Sequence, residues 1–235
     1  MIEFQAWQKI PRLNRDITIT EKIDGTEAAV GINQWTDYHG PAEPSGKWVN
    51  GMRFLVYAQS RSRIITPDQD NKGFAKWVWN HAEELASILG PGLHHGEWWG
   101  NGIQRGYGLK QGDKRFSLFN TKRWGDNELP TLADNGFGFV EGLGVVPVLY
   151  EGPFANGSID APWDEVLYEL ATEGSKAAPG FERPEGVVIY HHAANSCFKV
   201  TLENDEVPKE VLRKRALKDF RESEFIGVSA ELLAP

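Results

Sequence analysis

Short strand-like segments separated by turn-forming residues run through the chain and restrict its fold more than any other feature. They are rich in branched and aromatic residues and bounded by Gly, Pro, Asn or Asp, which is typical of β-strands. Because several strands accompany few helices, we expect an α+β fold with mainly antiparallel sheets flanked by helices. The predicted strands are Ile17–Glu21, Ala28–Ile32, Arg53–Gln59, Leu93–Trp98, Phe116–Asn120, Val145–Tyr150, Gly186–Tyr190 and Ser196–Val200.

Three helices are predicted beside these strands. The first spans Phe74–Leu89, where apolar residues recur at helical spacing before a Gly-Pro-Gly stop. The second runs from an N-cap at Asp160 to Thr172 and ends at Gly174. The third, at about residues 208–222, has one apolar and one basic side, and the basic side is typical of a solvated helix face. Residues 36–52 are dense in turn formers and predict a long loop.

Composition limits the class of protein. The chain has 235 residues, no apolar run of the roughly 18 residues that span a membrane, and no apolar core of a signal peptide near its N-terminus. Its single cysteine, Cys197, excludes an internal disulfide and a cysteine-rich zinc site. We therefore expect a cytoplasmic protein without membrane contact. The net charge of -8 argues against a wide non-specific grip on nucleic acid but allows a narrow groove with a few cations.

The sequence TITEKIDGTEAAVGI holds Lys22 between two strand-like segments. Partial burial lowers the pKa of an amine and makes it a nucleophile. Gly25 would let the backbone approach a phosphate, and Asp24 would orient the lysine or hold water on a metal ion. By itself the pattern K-x-D-G is a weak signal, and an ordinary charged hairpin remains the alternative.

Later segments add cations and acids. Arg61 and Arg63 follow a strand, and both would project to one side if the extended conformation continues; they suit either phosphate binding or a charged sheet edge. Glu97 precedes a glycine-rich loop, where a carboxylate can accept two ribose hydroxyls or hold a cation. The pairs His94–His95 and His191–His192 look like metal ligands. Adjacent strand residues face opposite sides, however, so the two histidines of a pair could not easily share one metal ion, and we expect both pairs to be structural.

Three further positions complete the candidate set. Phe119 ends a strand, where its ring would either stack on a base or join the core. Glu185 precedes a glycine at the start of an apolar strand and is well placed to bind a divalent metal ion through oxygen. Lys199 interrupts an apolar strand, so it needs an anionic partner such as a nucleotide phosphate.

The order of these segments resembles the covalent nucleotidyltransferases, the superfamily of ATP-dependent RNA and DNA ligases and mRNA capping enzymes. The resemblance extends from Glu21 to Thr201 and implies an ATP-grasp-like nucleotidyltransferase fold. It implies a monomer in which residues 1–235 form a single nucleotidyltransferase domain. It also implies three steps: Lys22 takes AMP from ATP, AMP passes to a nucleic-acid 5′-phosphate, and a 3′-hydroxyl displaces it.

The resemblance assigns a role to each candidate residue. Lys22, Asp24, Glu185 and Lys199 would be catalytic. Glu185 would coordinate Mg²⁺ or Mn²⁺ with Asp24 nearby. The nucleotide would contact Glu21, Gly25, Glu27, Arg61, Glu97, Phe119 and Lys199, with Arg61 and Lys199 on phosphates, Glu97 on the ribose and Phe119 on adenine.

Glu27 separates the branches of this superfamily. DNA ligases and capping enzymes typically have arginine at its position, and residues 202–235 are too few for their OB-fold domain. The sequence looks closer to the RNA ligase 2-like branch, which implies RNA repair on RNA ends or nicked duplexes. Thr201 replaces the usual second lysine of the last strand. A minimal DNA ligase and an inactive nucleotide- or RNA-binding module are the alternatives.

Overall fold

The computed structural model describes residues 3–34, 46–49, 54–125, 140–155 and 161–203, and these divide between two compact units. Of the described residues, the first unit contains 3–20, 149–155, 161–174 and 182–203. The second contains residues 21–148 and 175–181, so the chain leaves it and then returns. Antiparallel sheets and few helices confirm the predicted α+β class. Among the described residues, no helix combines the length and apolar character needed to cross a bilayer.

A seven-stranded sheet forms the second unit. Its strand order is β3-β4-β2-β6-β7-β8, with β5 paired to β4, and every described pairing is antiparallel except β7 with β8. The strands are β2 (Thr26–Gln34), β3 (Gly46–Val49), β4 (Phe54–Ser60), β5 (Ile64–Ile65), β6 (Gly92–Gly100), β7 (Lys114–Leu118) and β8 (Leu143–Val145). Helices α1 (Phe74–Asn80), α2 (Ala82–Leu89) and α3 (Thr121–Trp124) accompany them.

The two faces of this sheet have different roles. Val30, Val56 and Phe116 point to one face, where they form a core with helix residues such as Phe74 and Leu85. Because side chains alternate along a strand, the neighbours of these residues lie on the other face. That second face carries the polar residues Glu27 on β2 and His95 and Glu97 on β6. The sheet thus separates a hydrophobic core from a candidate site.

The first unit is built on a four-stranded sheet in the order β11-β10-β1-β9. The elements of this sheet and its helix are β1 (Asp16–Lys22), β9 (Val148–Pro153), α4 (Pro162–Glu173), β10 (Gly186–His191) and β11 (Ser196–Thr201). The last two residues of β1 and the first residue of β9 belong to the second unit. Ile17 and Ile19 of β1 pack with Leu170 of α4 and with Val187 and Ile189 of β10. This apolar face accounts for the hydrophobic runs that predicted β1 and β10.

Most predicted strands are confirmed, with two corrections. The segment Val145–Tyr150 is divided between β8 and β9 because Pro147, which has no N–H for a sheet hydrogen bond, lies between them. The predicted loop at residues 36–52 contains β3, whose Trp48 and Val49 pair with Leu55 and Phe54 of β4. Within residues 46–49, apolar side chains therefore outweigh the turn formers.

The helix predictions also needed correction. The predicted helix Phe74–Leu89 is two helices that meet at His81, whose φ of -113° and ψ of 24° are not helical. The His81 ring Nδ1 lies 2.9 Å from the Trp77 carbonyl oxygen, a side-chain contact that favours the break. The N-cap of α4 is Ala161 rather than Asp160; Asp164 accepts a hydrogen bond from the Ala161 N–H, and Gly174 ends the helix as predicted. The basic helix at 208–222 lies outside the described residues.

Candidate active site

Lys22 is the last residue of β1 and is half-buried, directly before a turn at residues 23–25. Ile23 anchors this turn because its buried side chain packs with Trp99, Tyr107 and Val146. The next strand, β2, begins at residue 26. The lysine therefore lies at the junction of a strand and a short turn, as its sequence predicted.

Gly25 fastens the turn to β6. Its N–H donates a hydrogen bond to Glu97 Oε1 at 3.0 Å. A Cβ atom at this position would lie 2.5 Å from the Trp98 carbonyl oxygen and 2.9 Å from Trp99 Cβ. Glycine is therefore required here for close packing of two backbones, a reason that the sequence prediction did not include.

Asp24 is held by two residues of the loop that follows β6, residues 101–109. Its N–H donates to the Tyr107 hydroxyl at 2.7 Å. Its Oδ2 accepts from Arg105 Nε at 3.0 Å, and the two side chains are only 27% and 23% exposed. The sequence prediction missed Arg105 and Tyr107; the glycine-rich segment NGIQRGYGL was the one available signal.

Tyr107 has an uncommon backbone conformation for a residue with a side chain. Its φ is +51° and its ring is buried, with the centroid 4.6 Å from that of Phe181 and 5.1 Å from that of Trp99. Such a conformation costs about 1–3 kcal/mol and persists when surrounding contacts enforce it. Here ring packing and the hydrogen bond from Asp24 enforce it, so the hydroxyl has a fixed position.

Glu21 binds the segment that returns to the second unit. Its carboxylate is 1% exposed and accepts hydrogen bonds from Ser175 Oγ at 2.5 Å and from the N–H groups of Lys176 and Ala177, both at 2.8 Å. Burial raises the pKa of this carboxyl group, and the hydrogen bonds partly oppose that rise. The Glu21 N–H also donates to the Pro147 carbonyl at 3.0 Å, so both the carboxylate and the N–H group of Glu21 serve the internal packing of the second unit.

Glu27 lies between an arginine and a histidine on the second face of the sheet. Its Oε2 lies 3.7 Å from Arg61 Nε, and its Oε1 lies 3.8 Å from His95 Nδ1. Arg61 is 86% exposed, so this ion pair contributes about 0–1 kcal/mol to stability. The ion pair places the Arg61 guanidinium group beside Glu27 on the second face of the sheet.

Arg61 and Arg63 do not continue the extended strand that would have placed them on the same side. The Ser60 N–H donates to the Arg63 carbonyl at 2.8 Å, which closes the hairpin turn between β4 and β5. Of the two, Arg61 is the one paired with Glu27. The structure therefore favours Arg61 over Arg63 as the residue directed to the second face.

The adjacent histidines face opposite sides, as predicted. His94 is buried, its Nε2–H donates to the Gly90 carbonyl at 3.0 Å, and burial lowers the pKa of its imidazole. His95 is exposed on the face that carries Glu27. His191 is buried and its Nε2 donates to the Leu13 carbonyl, whereas the neighbouring His192 contacts Thr18 Oγ1 at 2.8 Å.

Phe119 lies directly after β7 and is 42% exposed, so it is not a core residue. Its N–H donates to the His95 carbonyl at 3.0 Å, which ties it to β6. Since Phe119 follows β7 and Glu97 lies within β6, the two candidate residues belong to neighbouring strands of the same sheet. A ring with this exposure and support is available for stacking.

Glu185 and Lys199 belong to the first unit. Glu185 is half-buried immediately before β10, and its carbonyl accepts from the Leu202 N–H at 2.9 Å. Lys199 is exposed on β11, opposite Val188. A Cβ atom at Gly186 would lie 2.2 Å from the Val200 carbonyl oxygen, so glycine lets the two strands meet here. Glu185 and Lys199 therefore belong to the first unit, whereas the other predicted site residues belong to the second.

The family model for RNA ligase matches residues 15–201, which include the turn at Lys22, Glu97, Phe119, Glu185 and Lys199. The chain belongs to the RNA ligase family. No curated protein sequence matches it.

Solved structures of Naegleria gruberi RNA ligase resemble this family member in fold. A variant with ATP and Mn is 19% identical with a TM-score of 0.51, covering 85% of this chain and 51% of that one. A second variant, with AMP and Mn, has the same identity and coverage and a TM-score of 0.50. The chain thus spans about half the length of the solved structures that it matches.

The acids of this RNA ligase family member suit a metal ion that arrives with phosphates. Among the residues that the structure describes, no three His, Cys, Asp or Glu side chains form a metal-binding group. Mg²⁺ commonly uses one or two carboxylates together with substrate phosphates and water. The two acids predicted for such an ion lie in different units, Glu185 in the first and Asp24 in the second, and the Asp24 carboxylate is paired with Arg105.

Proposed function

We propose that the protein is an ATP-dependent RNA ligase that joins a 3′-hydroxyl to a 5′-phosphate through an AMP group covalently bound to Lys22. The observation that carries this proposal is the hydrogen bond from the Gly25 N–H to Glu97. It joins the lysine turn to the expected ribose-binding carboxylate within a single unit. A charged hairpin with no other role would not require this connection.

The proposed reaction has three steps. The neutral Nζ of Lys22 attacks the α-phosphorus of ATP, the bond to pyrophosphate breaks, and the amine loses a proton. A 5′-phosphate oxygen of the nucleic acid then attacks the same phosphorus, and the lysine recovers a proton as its bond to AMP breaks. Finally a 3′-hydroxyl attacks the activated 5′-phosphate, loses its proton and releases AMP. Positioning and charge stabilisation supply most of the catalysis in phosphoryl transfer.

The second face of the sheet offers groups for the nucleotide. Glu97 would accept ribose hydroxyls, the exposed ring of Phe119 would stack on adenine, and Arg61, directed by Glu27, would contact a phosphate. Glu27 would contribute to nucleotide binding either directly or through Arg61. The exposed Lys199 would supply a further phosphate contact from β11.

A divalent metal ion, Mg²⁺ or Mn²⁺, would be held by Glu185 with Asp24 nearby. When bound it would neutralise charge on the phosphates. The protein residues supply oxygen ligands, which both ions prefer. We further propose a cytoplasmic, monomeric enzyme of RNA repair that acts on RNA ends or nicked duplexes and whose residues 1–235 act as one nucleotidyltransferase domain.

Incubation with ATP labelled at the α-phosphate tests the central step. The wild-type protein with Mg²⁺ or Mn²⁺ should retain label after denaturation and release it in acid, as a lysine phosphoramidate does. Lys22→Ala should retain none. As a matched control, Lys76→Ala removes an exposed lysine of α1 in the same unit and should label normally.

Unlabelled wild-type protein, or equal labelling of Lys22→Ala, would refute the proposal. Parallel reactions with GTP test the preference for adenine. Sealing of nicks with RNA or DNA at the 3′-hydroxyl side then separates the RNA ligase from a minimal DNA ligase, because only the former should require RNA. Nucleotide binding without label would instead indicate an inactive binding module.

A further inference from the structure

Arg105 makes the ion pair with the acid nearest to Lys22 in the turn. The 3.0 Å contact between Arg105 Nε and Asp24 Oδ2 is about three-quarters buried on both sides. Charge-assisted hydrogen bonds of this kind are stronger than neutral ones and fix the orientation of the carboxylate. Because Asp24 is two residues from Lys22, the position of its carboxylate depends on the same turn that presents the lysine.

The loop that carries Arg105 has an internal framework of its own. The Ile103 N–H donates to the Gly100 carbonyl at 3.0 Å, the Gly106 N–H to the Ile103 carbonyl at 2.9 Å, and the Leu109 N–H to the Gly106 carbonyl at 3.1 Å. Ile103 is buried in the core of the second unit. Arg105 therefore projects from a supported backbone, which is the requirement for a group that must hold another in place.

Two contacts from this loop reach Asp24 through different atoms. Tyr107 accepts from its main-chain N–H, and Arg105 binds its side chain. Together they restrict both the backbone and the carboxylate of one residue. We propose that Arg105 is a positioning residue for Lys22, acting through Asp24 to hold the turn in the geometry needed for attack on ATP.

This inference rests on the proposed adenylyl transfer, and a double-mutant cycle tests it. The rate of label transfer and the KM for ATP are measured for Arg105→Ala, Asp24→Asn and the double variant. Misplacement of about 1 Å can reduce a rate about a hundredfold. We therefore expect Arg105→Ala to lower the rate at saturating ATP about tenfold to a hundredfold, with a nearly unchanged KM.

The double variant should be no slower than Asp24→Asn, because the proposal has Arg105 act on the lysine turn through the charged carboxylate of Asp24. Arg105→Lys should recover part of the lost rate. Lys110→Ala is the matched control: it removes an exposed cation that directly follows the same loop, and it should behave as wild type. Additive losses, or a large rise in KM at unchanged rate, would overturn the proposal and indicate direct binding of ATP by Arg105.

Hydrogen exchange supplies a readout that needs no catalysis. In Arg105→Ala, the peptide that covers residues 22–26 should exchange about tenfold faster than in wild type. Without the Arg105 contact to the Asp24 carboxylate, the turn should open more often, although Tyr107 and Glu97 remain as acceptors for the Asp24 and Gly25 N–H groups. The exchange rate of Arg105→Lys should lie between those of Arg105→Ala and wild type, and Lys110→Ala should match wild type. Unchanged exchange in Arg105→Ala and Arg105→Lys would refute the positioning role. If the wild-type protein is not labelled by ATP, the proposed function is refuted. The exchange rates of the variants would still show whether Arg105 holds the turn in place.

Discussion

Glu97 Oε1 accepts a hydrogen bond from the Gly25 N–H at 3.0 Å and so joins the middle strand of the larger sheet to the turn that presents Lys22. The carboxylate has two oxygens, and this bond fixes its orientation. A side chain that is already oriented before its ligand arrives loses less conformational entropy when the ligand binds.

Glu97→Gln should separate the two roles of this side chain. The amide oxygen still accepts from Gly25, so the free energy of unfolding should change by less than about 1 kcal/mol. Loss of the charge should weaken binding of the ribose hydroxyls and lower kcat/KM for ATP about tenfold. The comparison with 2′-deoxy-ATP is diagnostic: the preference of wild type for ATP should shrink in Glu97→Gln. An equal preference in both proteins would remove Glu97 from the ribose site.

Gly25→Ala should move the turn away from β6. The new methyl group would lie 2.5 Å from the Trp98 carbonyl oxygen, so the backbone must shift. We expect a loss of about 1–3 kcal/mol in stability and about a hundredfold loss in the rate of label transfer. Urea unfolding and labelling kinetics measure the two effects. Gly144→Ala is the control, since no atom lies within 4 Å of its added Cβ; similar losses there would contradict the explanation.

Phe119→Ala should weaken nucleotide binding without unfolding the protein. Because the ring is 42% exposed, its removal should change stability by less than about 1 kcal/mol. Stacking on a base contributes about 1–3 kcal/mol, so the KM for ATP should rise about tenfold. Phe116→Leu, on the same strand but in the core, should instead lower stability by about 1–3 kcal/mol and leave the KM unchanged.

Glu21→Gln should change the pH dependence of stability. Burial raises the pKa of the folded carboxyl above its ordinary value of 4.5, so the folded state holds a proton that the unfolded state has released. Stability from this group is therefore complete below pH 4.5 and decreases as pH rises through the folded pKa. The difference in unfolding free energy between wild type and Glu21→Gln, followed by urea unfolding from pH 4.5 to 7.5, should show this decline. A constant difference would refute it.

Glu185→Ala should lose the metal-dependent steps. In a titration with Mn²⁺, label transfer should need more than about tenfold higher metal concentration or fail at saturation, because one oxygen ligand is missing. Glu182→Ala removes an exposed acid of the same segment and should follow the wild-type curve. Normal labelling of Glu185→Ala across the titration would show that another group binds the metal ion.

Local sequence patterns were sufficient for the strands and for the turn at Lys22. Branched residues such as Ile17, Ile19, Val187 and Ile189 both predicted β1 and β10 and form the core between them. Arg105 and Tyr107 could not be found in this way, because they meet Asp24 across 81 and 83 residues of chain. An ion pair at that separation depends on how the loop folds, and no local pattern encodes it.

The helix boundaries that the sequence did not predict also depend on contacts outside the local apolar pattern. The break at His81 depends on the contact of its own ring with the Trp77 carbonyl, whereas apolar spacing alone favours one continuous helix. The helix α4 starts one residue later than an Asp160 N-cap would require, and its proline explains the start equally well. The hydrogen bonds of the Glu21 carboxylate to a segment more than 150 residues away could not be read from the sequence either, because no local pattern encodes them.

The return of residues 175–181 to the second unit has a consequence for any attempt to divide the protein. A fragment that stops at residue 148 would contain the whole seven-stranded sheet yet lack the donors that satisfy Glu21. The carboxylate would then need water or a proton in place of these three donors. Any shortened or split form of the protein should therefore retain Ser175–Ala178. The reason is that β1, the strand that ends in Lys22, has its Glu21 carboxylate bound by this segment.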